Sequence, residues 1–407
     1  MTLPFTLHDP NGDHTNVTFK LPPDIEAEVH ENPRRLLLHA GYVAAGTSNL
    51  TLHLADGRGG ATEVVVALDV KPLRWFERKT WKADGPAPRE HPAVWADAAG
   101  KSGRILLFGG SGYSPYLKGL SDAWAFDAAS QAWTSLQTAG DVPAPGGSRR
   151  VAVIPGERVV YLHGGYGDGG SPNSSDLYRV TWTEGADTLT FKKLAQLPAK
   201  TSDRPAARAL HAFLWDPVKA RFVLFGGAGQ KPFGDTWTAT LDGDTVTWSL
   251  VATSEGPSPR YGFFSGFDAE SGRLLLFSGA QGFSPLDPAR DTWQLDVRSE
   301  PPSWTLPLEG KDDGVPPGRR NGCAVFDPTG PRLFVFGGTG DGKTTEPGLH
   351  VLDARPGKWA WTLLKLADEP PLRSSGMGVF EPMSGQAWLG FGNSATATFP
   401  DLIALGE

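Results

Sequence analysis

The sequence predicts an all-β protein assembled from repeated four-stranded antiparallel units, and three observations carry that expectation. A short apolar strand closing on glycine recurs as ILLFGG (105–110), VVYLHGG (159–165), FVLFGG (222–227), LLLFSG (274–279), LFVFGG (333–338) and, more weakly, AWLGFG (387–392), with the closing glycines 52 to 62 residues apart. Other signals keep step with it. Apolar residues nowhere hold a helical period, whereas short alternating runs punctuated by Gly, Pro and Asp do recur.

Each repeat supplies its strands in a set order. A Pro-rich stretch with an Arg precedes each glycine strand: Arg89, Arg149, Arg208, Arg260, Arg319 and Arg373. After the glycines come DAWAFD (122–127), DLYRV (176–180), DTWTATL (235–241), DTWQLD (291–296), LHVLD (349–353) and DLIAL (401–405). A further aromatic opens a fourth strand at Trp133, Phe191, Trp248, Trp304 and Trp361. The last copy has no such strand, and LRWFERK (73–79) is a Trp strand with no unit of its own. Pairing the two closes the ring and removes a free sheet edge.

The Pro-Arg opening, the Gly-Gly strand, the D-x-W or D-x-Y strand and the Trp strand together resemble the kelch repeat over residues 73–407. That resemblance implies a β-propeller, with six blades expected from the copies. Seven would require Arg35–Gly41 to be a degenerate blade strand. Residues 1–71 lack the repeat and read as strands at Thr15–Leu21, Arg34–His39, Asn49–Leu54 and Glu63–Val70. The 49–70 hairpin is similar to the last hairpin of immunoglobulin- or cadherin-like modules, so a small β-sandwich is expected at 1–71, before a propeller at 72–407.

Composition bounds the function. The 407 residues include 14 Trp and 21 Phe, enough for a packed core, and a net charge of −7 argues against a dedicated nucleic-acid binder. The single cysteine, Cys323, excludes a disulfide framework and Cys-rich zinc sites. The run Val64–Leu68 is far short of the ~20 apolar residues of a membrane span. Met1–Phe5 shows neither a basic nor an apolar leader segment, so the expected location is the cytoplasm.

Alternating strand direction puts the six Arg positions on the same face as the loops 111–121, 166–175, 228–234, 280–290 and 339–348. That face is expected to carry function. Arg89, Arg149, Arg208, Arg260, Arg319, Arg320 and Arg373, with Arg150 and Arg204 nearby, would form a cationic ring suited to carboxylates or phosphates. The competing structural reading is that such Arg residues bond backbone carbonyls or a neighbouring Asp. Tyr113, Tyr116, Tyr166, Phe233 and Phe283 add the aromatics common at protein contacts.

Catalytic constellations are thin. Copper oxidases of this fold use a cysteine–tyrosine link, and no tyrosine adjoins Cys323 recognisably. Kelch sugar-acid mutarotases pair a Glu with an Arg near the channel. Here Glu90 beside Arg89 and His211 are the weak catalytic candidates. No cofactor or metal is expected. The leading expectation is a non-catalytic recognition module for an acidic partner segment. The alternatives are a metal-independent isomerase for an anionic sugar or carboxylate, and a structural part of a larger assembly.

Overall fold

In the computed structural model the described residues are 2–4, 16–22, 25–31, 34–40, 46–55, 60–76, 78–81, 84–99, 103–113, 117–170, 173–185, 187–253, 255–284, 286–342, 345–355 and 357–406. The chain divides into two compact units, residues 1–74 (with the last residue) and 75–406.

The first unit holds two three-stranded antiparallel sheets. One orders Thr2–Pro4, Arg34–Ala40 and Ile25–Glu31; the other orders Asn16–Lys20, Gly46–Ala55 and Ala61–Val70. Ile25 and Leu38 from one sheet bury with Leu50 and Leu68 from the other, giving a small shared core. Residues 34–40 therefore pair within this unit, where the seven-blade alternative would have placed them in the ring. The strands Thr2–Pro4 and Ile25–Glu31 were not legible in the sequence pattern.

The second unit repeats one antiparallel sheet. Its strands run, from innermost to outermost, Ala93–Ala96, Arg104–Tyr113, Leu117–Asp127 and Ala132–Gly140 in the first copy. Copies with innermost strands Arg150–Val153, Ala212–Asp216, Phe264–Asp268, Cys323–Asp327 and Met377–Glu381 follow the same pairing. The second strand is apolar throughout because both its faces meet neighbouring sheets: Ile105, Leu106, Leu107 and Phe108 are all buried. In the first copy its glycine doublet shifts the strand register between Phe108 and Gly110. Gly110 has φ +102°, and a Cβ there would stand 2.9 Å from the Glu90 carbonyl oxygen.

One aromatic contact explains why each outermost strand carries a Trp or Phe. That ring packs on the residue just before the glycines of the preceding copy: Phe191 on Phe108 and Trp304 on Phe225, both at 4.7 Å, Trp248 on His163 at 5.5 Å, and Trp361 on Phe277 at 4.7 Å. Trp133 of the first copy meets Phe391 of the last at 6.1 Å. Trp75 supplies the missing ring, meeting Phe336 at 5.4 Å. Its strand, Arg74–Trp75, lies beside Asp401–Gly406, and Lys79–Thr80 pairs with the same strand. The segment expected at 73–79 thus reaches the last sheet in two short pieces.

Two copies share an eight-stranded sheet, because the outer strand Ala132–Gly140 pairs in parallel with Thr188–Lys193. Likewise Ala195–Leu197 pairs in parallel with Thr245–Val251. These additions cover sheet edges that would otherwise offer unpaired backbone groups. Trp75→Ala should lower the unfolding free energy by ~3–5 kcal/mol, since it empties a buried aromatic site where the ring is joined. Urea titration followed by Trp fluorescence would measure it, and an unchanged midpoint would contradict the role given to this ring.

Candidate functional site

The repeated Arg is a scaffold group. Arg89 donates from Nη1 to Asp122 Oδ1 at 2.7 Å and from Nη2 to Oδ2 at 2.8 Å, while Nε and Nη1 also reach the carbonyls of Ala87 and Gly109. Arg208 with Asp235 and Arg260 with Asp291 repeat this fork and both carbonyl bonds. Arg373 holds Asp401 in the same way. These aspartates open the D-x-W strands, and Trp124, Trp237 and Trp293 donate Nε1–H to the same carboxylates at 2.6–2.7 Å. Burial works against ionisation of Asp122 and Asp235, yet the Arg bonds and charge, with the indole N–H, hold both carboxyls below their ordinary range.

All of Arg89, Arg208, Arg260, Arg319 and Arg373 are at most 1% exposed. The expected ligand-binding ring is therefore corrected: no guanidinium of these five is open to a ligand, and four are held by an Asp fork. Arg149 departs differently. The bridges Glu90–Ser111 and Gly147–Tyr166 put Gly146, not Arg149, at the repeat's Arg position. Arg149 bends back so that its guanidinium bonds the carbonyls of Gly146 and Ala144, close to where a repeat Arg would sit. In the fifth copy Gly348 stands where other copies carry Asp, and Arg319 instead bonds His350 Nδ1 at 2.8 Å. Burial lowers Arg319 to about 10 and His350 to about 4, so His350 is neutral near pH 7.

The innermost strands enclose a cavity of about 600 Å³. On the long-loop side its rim is formed by His91, Ser148, Leu210, Gly262, Asn321 and Ser375, each two residues past the repeat position and each at positive φ, between +47° and +63°. This conformation turns backbone N–H groups sideways around the rim. Ser148 bonds His91, His91 bonds Ser375, Ser375 bonds Asn321, Asn321 bonds Gly262 and Gly262 bonds Leu210, each N–H donating to the next carbonyl.

Charge at this rim comes from outside the repeat's Arg positions. Arg150 lines the cavity, and burial lowers it to about 10. Its Nε has no hydrogen-bond partner, nor has Nε of Arg320. Neither forms an ion pair with a carboxylate among the described residues. Arg320 lies over the Tyr261 ring at 5.4 Å. Burial first, then the charges of Arg150 and Arg320, push His91 down to about 3. Glu90 is buried, which raises its carboxyl pKa, and accepts from Asn393 Nδ2 at 2.6 Å. Arg150 and Arg320 belong to the cationic ring expected from the sequence, although nothing there set them apart from the forked Arg residues; His91 and Asn321 were not distinguished by sequence.

The remaining candidates disperse. Tyr166 is half-buried near this rim, its phenol pKa pushed up by burial. Phe233 stacks on Arg208 at 4.2 Å and so anchors its own loop. Phe283 is half exposed and meets Tyr261 at 5.2 Å. His211 borders the cavity, but its Nε2 is hydrogen-bonded to His163 Nδ1 at 3.0 Å in a fully buried pair. Tyr116 lies outside the described residues, as does the side chain of Tyr113. Among the described residues no cluster of three or more His, Cys, Asp or Glu could hold a metal, and no helix is long and apolar enough to cross a membrane.

Residues 158–379 match the KLHDC2/KLHL20/DRC7 Kelch-repeats domain. The chain belongs to the kelch-repeat family. It is 26% identical over 318 residues to putative adagio-like protein 2 of Oryza sativa subsp. japonica, covering 74% of this chain and 47% of that protein. It is 28% identical over 247 residues to serine/threonine-protein phosphatase BSL2 of Arabidopsis thaliana, covering 60% and 22%. The kelch chain spans about half the length, or less, of these curated relatives. The solved structure of YjhT aligns with TM-score 0.50 at 14% identity over 86% of this chain and 97% of that one, a likeness of fold. Together these establish an all-β kelch propeller.

Two outcomes follow for the kelch scaffold. Arg373→Met should cost ~1–3 kcal/mol because it strips the buried Asp401 of its fork and leaves it with Arg78 alone, 2.8 Å away, whereas Arg150→Met should be neutral or stabilising because it removes a partly buried cation with no carboxylate partner among the described residues. Chemical denaturation of the two variants compares them directly. Acid should also destabilise the fold. His91, His163 and His350 have folded-state values of about 3, 3 and 4, and burial holds His211 well below normal. The unfolded chain takes up protons on these groups below its ordinary value of ~6.5, so stability falls as pH drops from ~6.5 toward 4. Urea midpoints that stay level over that window would refute it.

Proposed function

We propose that this kelch propeller is a protein-recognition or scaffold module that takes an acidic segment of a partner on its long-loop face, with a carboxylate lodged at the channel rim against Arg150 and Arg320. The observation carrying this reading is that Arg150, which lines the cavity, and Arg320, near the same rim, have no carboxylate partner among the described residues. Both are partly desolvated in the free state, a cost that an incoming anion offsets. Membership of the kelch family and the kelch-bearing relatives support a module that acts through contacts with other proteins. Six blades, closed by residues 74–80, is the arrangement the strand pairings support. A reducing compartment suits buried Cys323, whose thiol burial pushes up to about 11.

A second reading has one observation in its favour. Glu90, whose carboxyl pKa is raised by burial, stands at the same rim, so a small anionic sugar or carboxylate held there would meet a carboxyl group able to exchange a proton with it.

Binding of a Glu-rich peptide, measured by fluorescence anisotropy at low and high salt, tests the first reading. The expected results are a ten-fold or greater loss in the Arg150→Gln/Arg320→Gln variant, retention in a folded variant altered on the opposite face such as Val218→Ser, and weakening by salt. Equal binding by wild type and the double Arg variant would overturn it. Turnover of anionic sugars lost in Glu90→Gln would favour the second.

A further inference from the structure

The rim carries an apolar feature that the acidic-segment reading does not use. Phe283, in the loop after the fourth glycine turn, is 49% exposed, and it is the one aromatic among the exposed large apolar side chains of the described residues. Its ring lies 5.2 Å from that of Tyr261, at 57°, and Tyr261 is itself buried. On Tyr261 also rests the guanidinium of Arg320, at 5.4 Å. Phe283, Tyr261 and Arg320 thus form one continuous stack from an exposed ring to an unpaired cation.

The stack is held in place beforehand. Tyr261 and Ala280 exchange backbone hydrogen bonds at 3.0 and 2.9 Å, Gln281 N–H donates to the Asp287 carbonyl and Ala289 N–H to that of Gly279. Beneath it Tyr261 packs with Ala228 and Ala280, with Leu210 and Leu286 alongside. An exposed aromatic fixed on a rigid base binds without a large ordering cost.

Resting on the acidic-segment reading, we infer that the segment this face selects carries an aromatic or large aliphatic residue two positions from its acidic residue, docked on Phe283 while the carboxylate meets Arg320. The spacing follows from geometry. The two ring distances, taken end to end, place Phe283 within roughly 10 Å of the guanidinium. An extended peptide advances ~3.3 Å per residue and returns to the same face every second residue, so side chains two apart leave one face ~7 Å from each other, and their own reach covers the remainder. The occupant is therefore an extended acidic peptide of the form Glu-x-Phe or Phe-x-Glu.

Four fluorescein-labelled nine-residue peptides in a Gly/Ser/Thr background test this: one with Glu-Ser-Phe, one with Phe-Ser-Glu, one with Glu-Ser-Ser and one with Gln-Ser-Phe. Each is titrated by anisotropy into the full chain, its Phe283→Ser variant and the Arg150→Gln/Arg320→Gln variant, with folding checked by near-ultraviolet circular dichroism. Glu-Ser-Phe or Phe-Ser-Glu should bind about ten-fold or more tightly than Glu-Ser-Ser. In Phe283→Ser that advantage should disappear. Equal binding of the Phe-bearing and Ser-bearing acidic peptides, or a Phe advantage that survives Phe283→Ser, overturns this inference and leaves the acidic-segment reading standing. Gln-Ser-Phe binding as tightly as Glu-Ser-Phe, or no binding by any acidic peptide, overturns the acidic-segment reading and the inference with it.

Discussion

A buried guanidinium has to be neutralised where it stands, and the repeat of this propeller is organised around that requirement. Each forked Arg enters at the start of an innermost strand, finds the carbonyl beside the glycine turn and closes on an Asp that opens the third strand. Three parts of one sheet are thereby locked together, at separations of 18 to 33 residues. The glycines permit it, since their left-handed backbone turns a carbonyl inward where a Cβ would strike the opening strand. The indole N–H two residues past the Asp completes the carboxylate's bonds.

Two copies depart from this plan, and each departure is compensated locally. Gly146 replaces the Arg, and Arg149 folds back onto the carbonyls of Ala144 and Gly146. Gly348 replaces the Asp, and a neutral His350 takes the bond while Glu369 receives the Gly348 N–H. Among the described residues Arg150 and Arg320 have no carboxylate partner. They sit off the repeat position, near a rim stitched together by backbone hydrogen bonds from residues at positive φ, and Arg150 lines the cavity.

Between copies the joint is aromatic. The ring of each outermost strand lies on the residue before the neighbouring glycines, so a blade is complete only when its neighbour is in place. This makes the segment holding Trp75 part of the last sheet despite its place far earlier in the chain. It also accounts for the spacing of the Trp strands, which follows the neighbour's turn as closely as its own.

Order along the chain sufficed for the strands of the repeat, its glycine punctuation and the family, because each is a local matter that the period repeats; Thr2–Pro4 and Ile25–Glu31, outside the repeat, escaped it. Even the unmatched Trp strand at 73–79 and the strandless last copy could be paired by counting. The chemistry of the Arg series could not be read that way. Arg149 aligns with Arg208 by eye, yet one stands on the repeat position and the other three residues beyond its own copy's. Arg319 and Arg320 are neighbours, yet one is sealed in the sheet and the other stacks on Tyr261 at the rim. Whether a guanidinium serves the scaffold or a ligand depends on the carboxylate within bonding distance, and that carboxylate comes from a strand some thirty residues away, brought near only when the sheet has folded.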